Sequence, residues 1–320
     1  MIDWLDRLQQ RNRAAGFALA VIYKYVDDQG GYLAALITYY AFVSLFPLLL
    51  LFTTVAGVVL AGDPELQQQI LNSAVSQLPV IGDQLTEPRQ LSGGVPAVTI
   101  GIAGAIYGGL GVGQAMQNAM DTIWAVPVHK RANPILSRLR TLLLLAVLGT
   151  AVVATTAISA GGHISGLLSP VAKAGVVVAA LVVNTAVCVV AFRLSTARHL
   201  TVAQVLPGSV IAAGLWQLLQ WFGAGYVAHV IGSASAANSI FALVLGLLAF
   251  LYLVSVSLVV CAEIDAVRVR QLHPRALLTP FSDDADLTAA DRETYIGLAK
   301  AQQAKGFENI DVSFDPPTRN

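Results

Sequence analysis

The stretch LAALITYYAFVSLFPLLLLFTTVAGVVL, residues 33–60, runs for twenty-eight positions without a charged side chain. About twenty apolar residues suffice to cross a hydrocarbon layer of roughly 30 Å, and a helix rises about 1.5 Å per residue. The segment is therefore a membrane span too long to stand upright. It must tilt, kink at Pro47, or do both. Pro47 lacks the N–H that would bond the carbonyl of Val43, a loss that lipid tolerates only where other groups re-satisfy that carbonyl. Thr38, Tyr39, Tyr40 and Ser44 place further polar groups inside the same run.

Working outward, five more apolar runs cover residues 95–120, 141–159, 174–192, 203–230 and 239–262. The 320-residue chain is 56% hydrophobic and 12% charged, with a mean hydropathy of +0.67, more apolar surface than a soluble core can absorb. The expectation is an all-α polytopic membrane protein of six transmembrane helices. Positive side chains are retained on the cytoplasmic side of a bacterial-type membrane. Six spans place thirteen Lys and Arg residues near the helix ends of one side, from Arg7 and Lys24 through Arg140, Arg193 and Arg198 to Arg275. Only Arg89 and Lys173 fall opposite. Both termini are thus expected in the cytoplasm, in a multi-pass protein of the inner (cytoplasmic) membrane.

Residues 1–13 are polar and mixed in charge, unlike a cleavable signal, so the first span is expected to be retained. Residues 14–26 carry Phe17, Val21 and Tyr25 at helical spacing, which fits an amphipathic helix within a 1–32 N-terminal segment. That helix either lies on the inner surface or packs on the bundle. The transmembrane domain is read as 33–267, with an outer loop at 62–94 in which Leu66, Ile70, Leu71 and Val75 mark a short helix. Residues 268–320 read as a mobile cytoplasmic tail, within which Thr288 and Asp291 resemble a helix start.

The second span is rich in glycine, but its glycines sit in an apolar run that ends in Gln114, not in the Gly-Lys-Ser/Thr of a phosphate-binding loop. Close helix packing through Gly104 with Gly108 and Gly109 with Gly113 fits better. Those faces suit burial within one bundle or between copies, which leaves a homo-oligomer open. Gln114, Asn118 and Asp121 end this span on the inner side, and Glu263 and Asp265 end the last. A carboxylate in hydrocarbon costs roughly 2.5–3.5 kcal/mol even on the lenient insertion scale, so it faces a partner or a wet cavity. Arg140 and Arg193 lie at a similar depth, and Gln217 makes the fifth span unusually polar. Two readings stand: ion pairs that anchor helix ends, or a vestibule that binds a headgroup or couples protons. The five histidines lie at least thirty residues apart, and Cys188 and Cys261 read as small apolar residues. No catalytic residue, metal ligand or cofactor is expected, and zero net charge gives no general attraction to nucleic acid.

Four motifs carry a family resemblance: Thr38-Tyr-Tyr-Ala-Phe-Val-Ser-Leu-Phe-Pro47, Asn118-Ala-Met-Asp-Thr-Ile-Trp124 with Arg131 behind it, Tyr226 before Gly232-Ser233, and Cys261-Ala-Glu-Ile-Asp-Ala266. Together they resemble the YihY/BrkB family of bacterial inner-membrane proteins over about residues 10–270. Cys261 and Asp265 stand where Gly and Asn are commoner. The family carries a virulence-factor label, and some members were once called ribonuclease BN. A metal-dependent nuclease needs clustered ligands in a water-filled site, which the scattered histidines do not supply. The resemblance implies instead a six-helix envelope protein linked to lipid or envelope-precursor transport.

The resulting expectation is a non-ATPase transporter or flippase of an amphiphilic lipid or envelope precursor, with membrane lipids as its surroundings. Its candidate cavity residues are Tyr39, Tyr40, Ser44, Pro47, Gln114, Asn118, Asp121, Arg140, Arg193, Gln217, Glu263 and Asp265. A structural scaffold without transport, or a membrane-bound hydrolase or ribonuclease, are the alternatives.

Overall fold

A computed structural model describes residues 6, 12–59, 95–164, 170–226, 236–281 and 286–314. Among these the regular structure is helical, with no strand: α1 (Arg13–Asp27), α2 (Gly30–Val59), α3 (Val95–Ile123), α4 (Pro134–Ile164), α5 (Pro170–Leu194), α6 (Val202–Tyr226), α7 (Ala236–Arg270) and α8 (Ala289–Ala301). A single 3-10 turn, Val128–Lys130, joins α3 to α4. The outer loop expected at 62–94 lies outside the described residues.

Helices α2 to α7 are 25 to 35 residues long, enough by rise alone to cross a bilayer. Three described segments also meet the apolar requirement: Gly175–Leu194, Val202–Gly223 and Val244–Arg270. Each of the six long helices packs on the next in sequence, and α7 returns to α2, which closes a ring across which α3 also touches α7. Large apolar side chains face outward along it, among them Leu142, Val178, Val182, Leu218, Phe222 and Leu253. That outer surface fits a hydrocarbon solvent rather than water.

The most extensive seam joins α2 and α3. A Cβ on Gly104, Gly108 or Gly111 would collide with Pro47, Ser44 or Tyr40, so the absence of side chains lets the two backbones approach. Gly109 and Gly113 face the other way, against Leu145 and Thr141 of α4. The glycine pairs of the second span are thus used within one chain, toward two neighbours.

At one end of the ring α2, α4 and α6 begin and α3, α5 and α7 finish. The main core is concentrated there, where Ile37, Met120, Trp124, Phe192, Val205 and Val259 are buried together. Helix α1 starts at Asn12, whose side chain accepts from the backbone N–H groups of Ala14 and Ala15 at 3.1 and 3.3 Å. It buries Ala20 and Val21 against Val267 and Leu272. Of the two placements open to α1, the structure has it packed on the bundle.

After α7 the described residues include one more helix, α8. Thr288 and Asp291 form a reciprocal capping box at the start of α8. The segment is then pinned by Arg275, which is fully buried and pairs with Asp27 of α1 and, at 2.7 Å, with Asp291. Composition registers only that these residues are charged, and charge paired across 248 positions of sequence is invisible to it.

Candidate functional site

Among the described residues, buried charged side chains gather at the end of the ring that carries α1 and α8, where four arrangements stand beside the Arg275 pair. The most buried centres on Lys24, which α1 directs toward the last turn of α3 and the end of α7. Its ammonium pairs with Asp28, lies 3.4 Å from Glu263 Oε2, and donates to the carbonyl of Ile123 at 3.0 Å. Lys24 is 2% exposed, and the side chains of Asp28 and Glu263 are completely enclosed. Burial opposes the charge on Lys24, but Glu263 and Asp28 outweigh it and hold the ammonium above the ordinary lysine range. Two carboxylates share one cation.

Asp121 closes a different arrangement. Its Oδ1 accepts from the hydroxyl of Thr196 at 2.9 Å and from the N–H of Ala197 at 2.8 Å, which fixes the turn between α5 and α6. Arg140 of α4 donates to the Thr196 carbonyl at 3.3 Å, and Arg193 of α5 donates through Nε to the Leu200 carbonyl at 2.9 Å. The Arg198 guanidinium lies 5.4 Å over the Trp124 ring. These three arginines, with Val190, Leu194, His199 and Leu200, line a cavity of about 360 Å³. Burial, and then the charge of Arg270, lower Arg198 from the ordinary arginine range.

Asp265 serves as a brace. Pro207 sits inside α6 and has no N–H to offer the carbonyl of Ala203. Asp265 Oδ1 accepts from the next N–H, that of Gly208, at 2.9 Å, while Arg268 donates to the carbonyls of Ala203 and Gln204 at 3.0 and 2.7 Å. A Cβ at Gly208 would strike Asp265 and the carbonyl of Cys261. Gln117 forms the fourth arrangement: it donates to the Ser137 carbonyl at 3.0 Å and to the Thr141 hydroxyl at 2.9 Å, and accepts from the Ser137 hydroxyl at 2.9 Å.

The remaining candidates take varied positions. Tyr39 is exposed and edge-on to the half-buried Tyr40 at 5.2 Å. Ser44 donates to the Ala41 carbonyl of its own helix at 2.9 Å, and Pro47 lies against Gly104. Gln114 and Asn118 are exposed, the latter accepting from Arg131 at 3.1 Å. Gln217 is half-buried on α6. Arg140 and Arg193 line one cavity and Asp121 secures its floor, whereas Glu263 is sealed away with Lys24.

Sequence reasoning misses Lys24, Asp28, Asp27, Arg275 and Asp291 as partners. Lys24 and Asp28 stand at i and i+4, a local signal for a pair, but counting Lys24 toward topology hides it. Arg275 disappears into the same charge count, and it sits between the rings of Tyr23 and Tyr295 at 5.7 and 5.5 Å. Burial opposes its charge, yet the bonds to Asp27 and Asp291 prevail and raise its pKa.

No curated protein and no solved structure matches this chain. The family model described as virulence factor BrkB matches residues 21–284, a stretch that contains all six long helices together with Lys24, Asp121, Glu263 and Arg275. A match over that much of the chain shows that it belongs to the BrkB virulence factor family (YihY/BrkB).

Proposed function

We propose that this membrane protein is a non-ATPase transporter or flippase of an amphiphilic lipid or envelope precursor. In this reading α2 to α7 are the six spans of an inner-membrane protein, and the end bearing α1 and α8 faces the cytoplasm, where the Lys and Arg residues concentrate. The observation that carries it is the enclosed group of Lys24, Asp28 and Glu263 at the junction of α1, α3 and α7. Ionisable side chains enclosed at the end of a span are expensive and commonly mark pathways for ions or protons.

With all three groups ionised the cluster carries one net negative charge, and one added proton makes it neutral. Arg270 and Tyr25 are further titratable side chains whose fields reach the cluster. Taking up or releasing that proton changes how firmly Lys24 holds α1 to α3 and α7. A proton gradient thereby has a mechanical handle on the helix ring, with no nucleotide required.

The test reconstitutes the protein in vesicles with a fluorescent phospholipid and an imposed pH gradient, and measures movement between leaflets. Glu263→Gln is expected to abolish the dependence on the gradient, and Asp121→Asn to slow flux. If both variants insert normally and flux is unchanged, the transport reading fails. Normal insertion of the unaltered protein with no flux above protein-free vesicles would favour a scaffold.

A further inference from the structure

We infer that the cavity between Arg140, Arg193 and Arg198 binds the phosphate of an amphiphilic molecule, with the phosphate against the guanidinium groups and the apolar chains along α4. This names a substrate class for the transport reading, and it rests on that reading only for the steps after binding. Charge is the first support. Among the described residues none of the three arginines has a carboxylate within 4.0 Å, whereas Arg268, Arg270 and Arg275 each pair with one. Asp121 lies behind the turn and its Oδ1 is occupied by Thr196 and Ala197. Three guanidinium groups against that one carboxylate leave two positive charges around the cavity.

Geometry adds preorganisation. Arg193 is held by Nε, and among the described residues its two Nη groups meet no acceptor. Arg140 is anchored by one Nη1 bond to Thr196, and Arg198 is steadied against Trp124. These contacts fix the arginine stems while leaving donors for a ligand, as planar recognition of phosphate oxygens requires. His199 is a further lining residue. At about 360 Å³ the cavity falls near the small end of ligand sites, which span roughly 300–1,000 Å³. That size suits a phosphate with a short substituent.

The surroundings favour a lipid over free phosphate. Val190, Leu194 and Leu200 form part of the lining. Next to Arg140 along α4, Leu139, Leu142 and Leu143 are all at least half exposed, an apolar track leading away from the guanidinium. A ligand with a charged head and an apolar chain meets both surfaces at once.

The test is binding to the purified full-length protein in neutral detergent, read by native mass spectrometry. The probes are dioleoyl phosphatidylglycerol, phosphate-free dioleoylglycerol and inorganic phosphate. Phosphatidylglycerol is expected to bind best, and phosphate alone to compete only in large excess. Arg193→Gln and Arg198→Gln are each expected to weaken phosphatidylglycerol binding about tenfold, in line with loss of a charge-assisted bond. Arg138→Gln, which removes one exposed positive charge from α4 outside the lining, is expected to change it less than about twofold. Arg198→Gln guards against a local effect of Arg193→Gln, because Arg198 makes no bond to the turn carbonyls among the described residues. Equal losses in all three variants would show diffuse surface attraction and overturn the site. Phosphate-free dioleoylglycerol binding as well as phosphatidylglycerol, or inorganic phosphate binding as tightly as phosphatidylglycerol, would overturn the assignment to a phosphate-bearing lipid. Arginine-dependent binding without flux upholds this site and retires the transport reading, whereas flux by the unaltered protein without arginine-dependent binding does the reverse.

Discussion

Replacing Lys24 by methionine keeps an unbranched stem of similar length and removes the ammonium. Asp28 and Glu263, both enclosed, then face each other without a cation, and the Ile123 carbonyl loses its donor. Removing one member of a buried ion pair typically costs about 3–5 kcal/mol, because the remaining charge stays desolvated. The loss should be local to α1, which Lys24 fastens to α3 and α7. An opening equilibrium shifted by that energy changes by about two to four orders of magnitude. Hydrogen exchange of residues 13–27 in detergent-solubilised protein measures it directly. Adding Glu263→Gln to the Lys24→Met protein should recover at least about 1 kcal/mol, since neighbouring changes in one network are not additive. Exchange in α1 within about tenfold of the unaltered protein, or strict additivity of the two substitutions, would refute the reasoning. The pH dependence has a definite sign. Lys24 titrates in the folded protein above its ordinary 10.5. Its contribution is therefore complete below pH 10.5 and is lost as pH rises through the folded value. Loss of the Lys24 charge, and with it this part of the hold on α1, is expected in strong alkali.

Arg275→Gln should free α8, because Asp27 and Asp291 lose their shared cation; about 3 kcal/mol of protection should vanish from amides 289–301 while those of α3 are unchanged, as read by hydrogen exchange. Gly108→Val should separate α2 from α3 and lower thermal stability by several degrees or prevent accumulation, since its Cβ has no room beside Ser44. Gly149→Ala, where a Cβ meets nothing within 4 Å, should be neutral or stabilise by up to about 1 kcal/mol through helix propensity, measured by thermal unfolding in detergent.

Helices and close packing are legible in the residues alone. Apolar runs reveal helices because length and hydropathy are local properties, and the small-residue pairs of α3 reveal close packing for the same reason. Pairing is different. The partners of Asp121 lie 75 and 76 residues away, and Glu263 near the end of α7 meets Lys24 of α1 although all six long helices begin between them in sequence. A count of positive charges treats Lys24, Arg193 and Arg275 alike as markers of one membrane side. Their environments divide them: Lys24 and Arg275 neutralise enclosed carboxylates, whereas Arg193 lines a cavity and has no carboxylate beside it among the described residues. The acidic pair at the end of α7 splits the same way, with Glu263 in an ion cluster and Asp265 bonded to backbone. Only the spatial neighbour decides which chemistry a charged residue serves.

The repair of Pro207 has a mechanical consequence. Asp265 and Arg268 grip three backbone groups of α6 from a single turn of α7. Sliding either helix along the other by one turn, about 5.4 Å, would break all three bonds at once and leave the buried Gly208 N–H without its Asp265 acceptor. The two helices must therefore travel together as one rigid lever. Any rearrangement of the ring has to open at another seam.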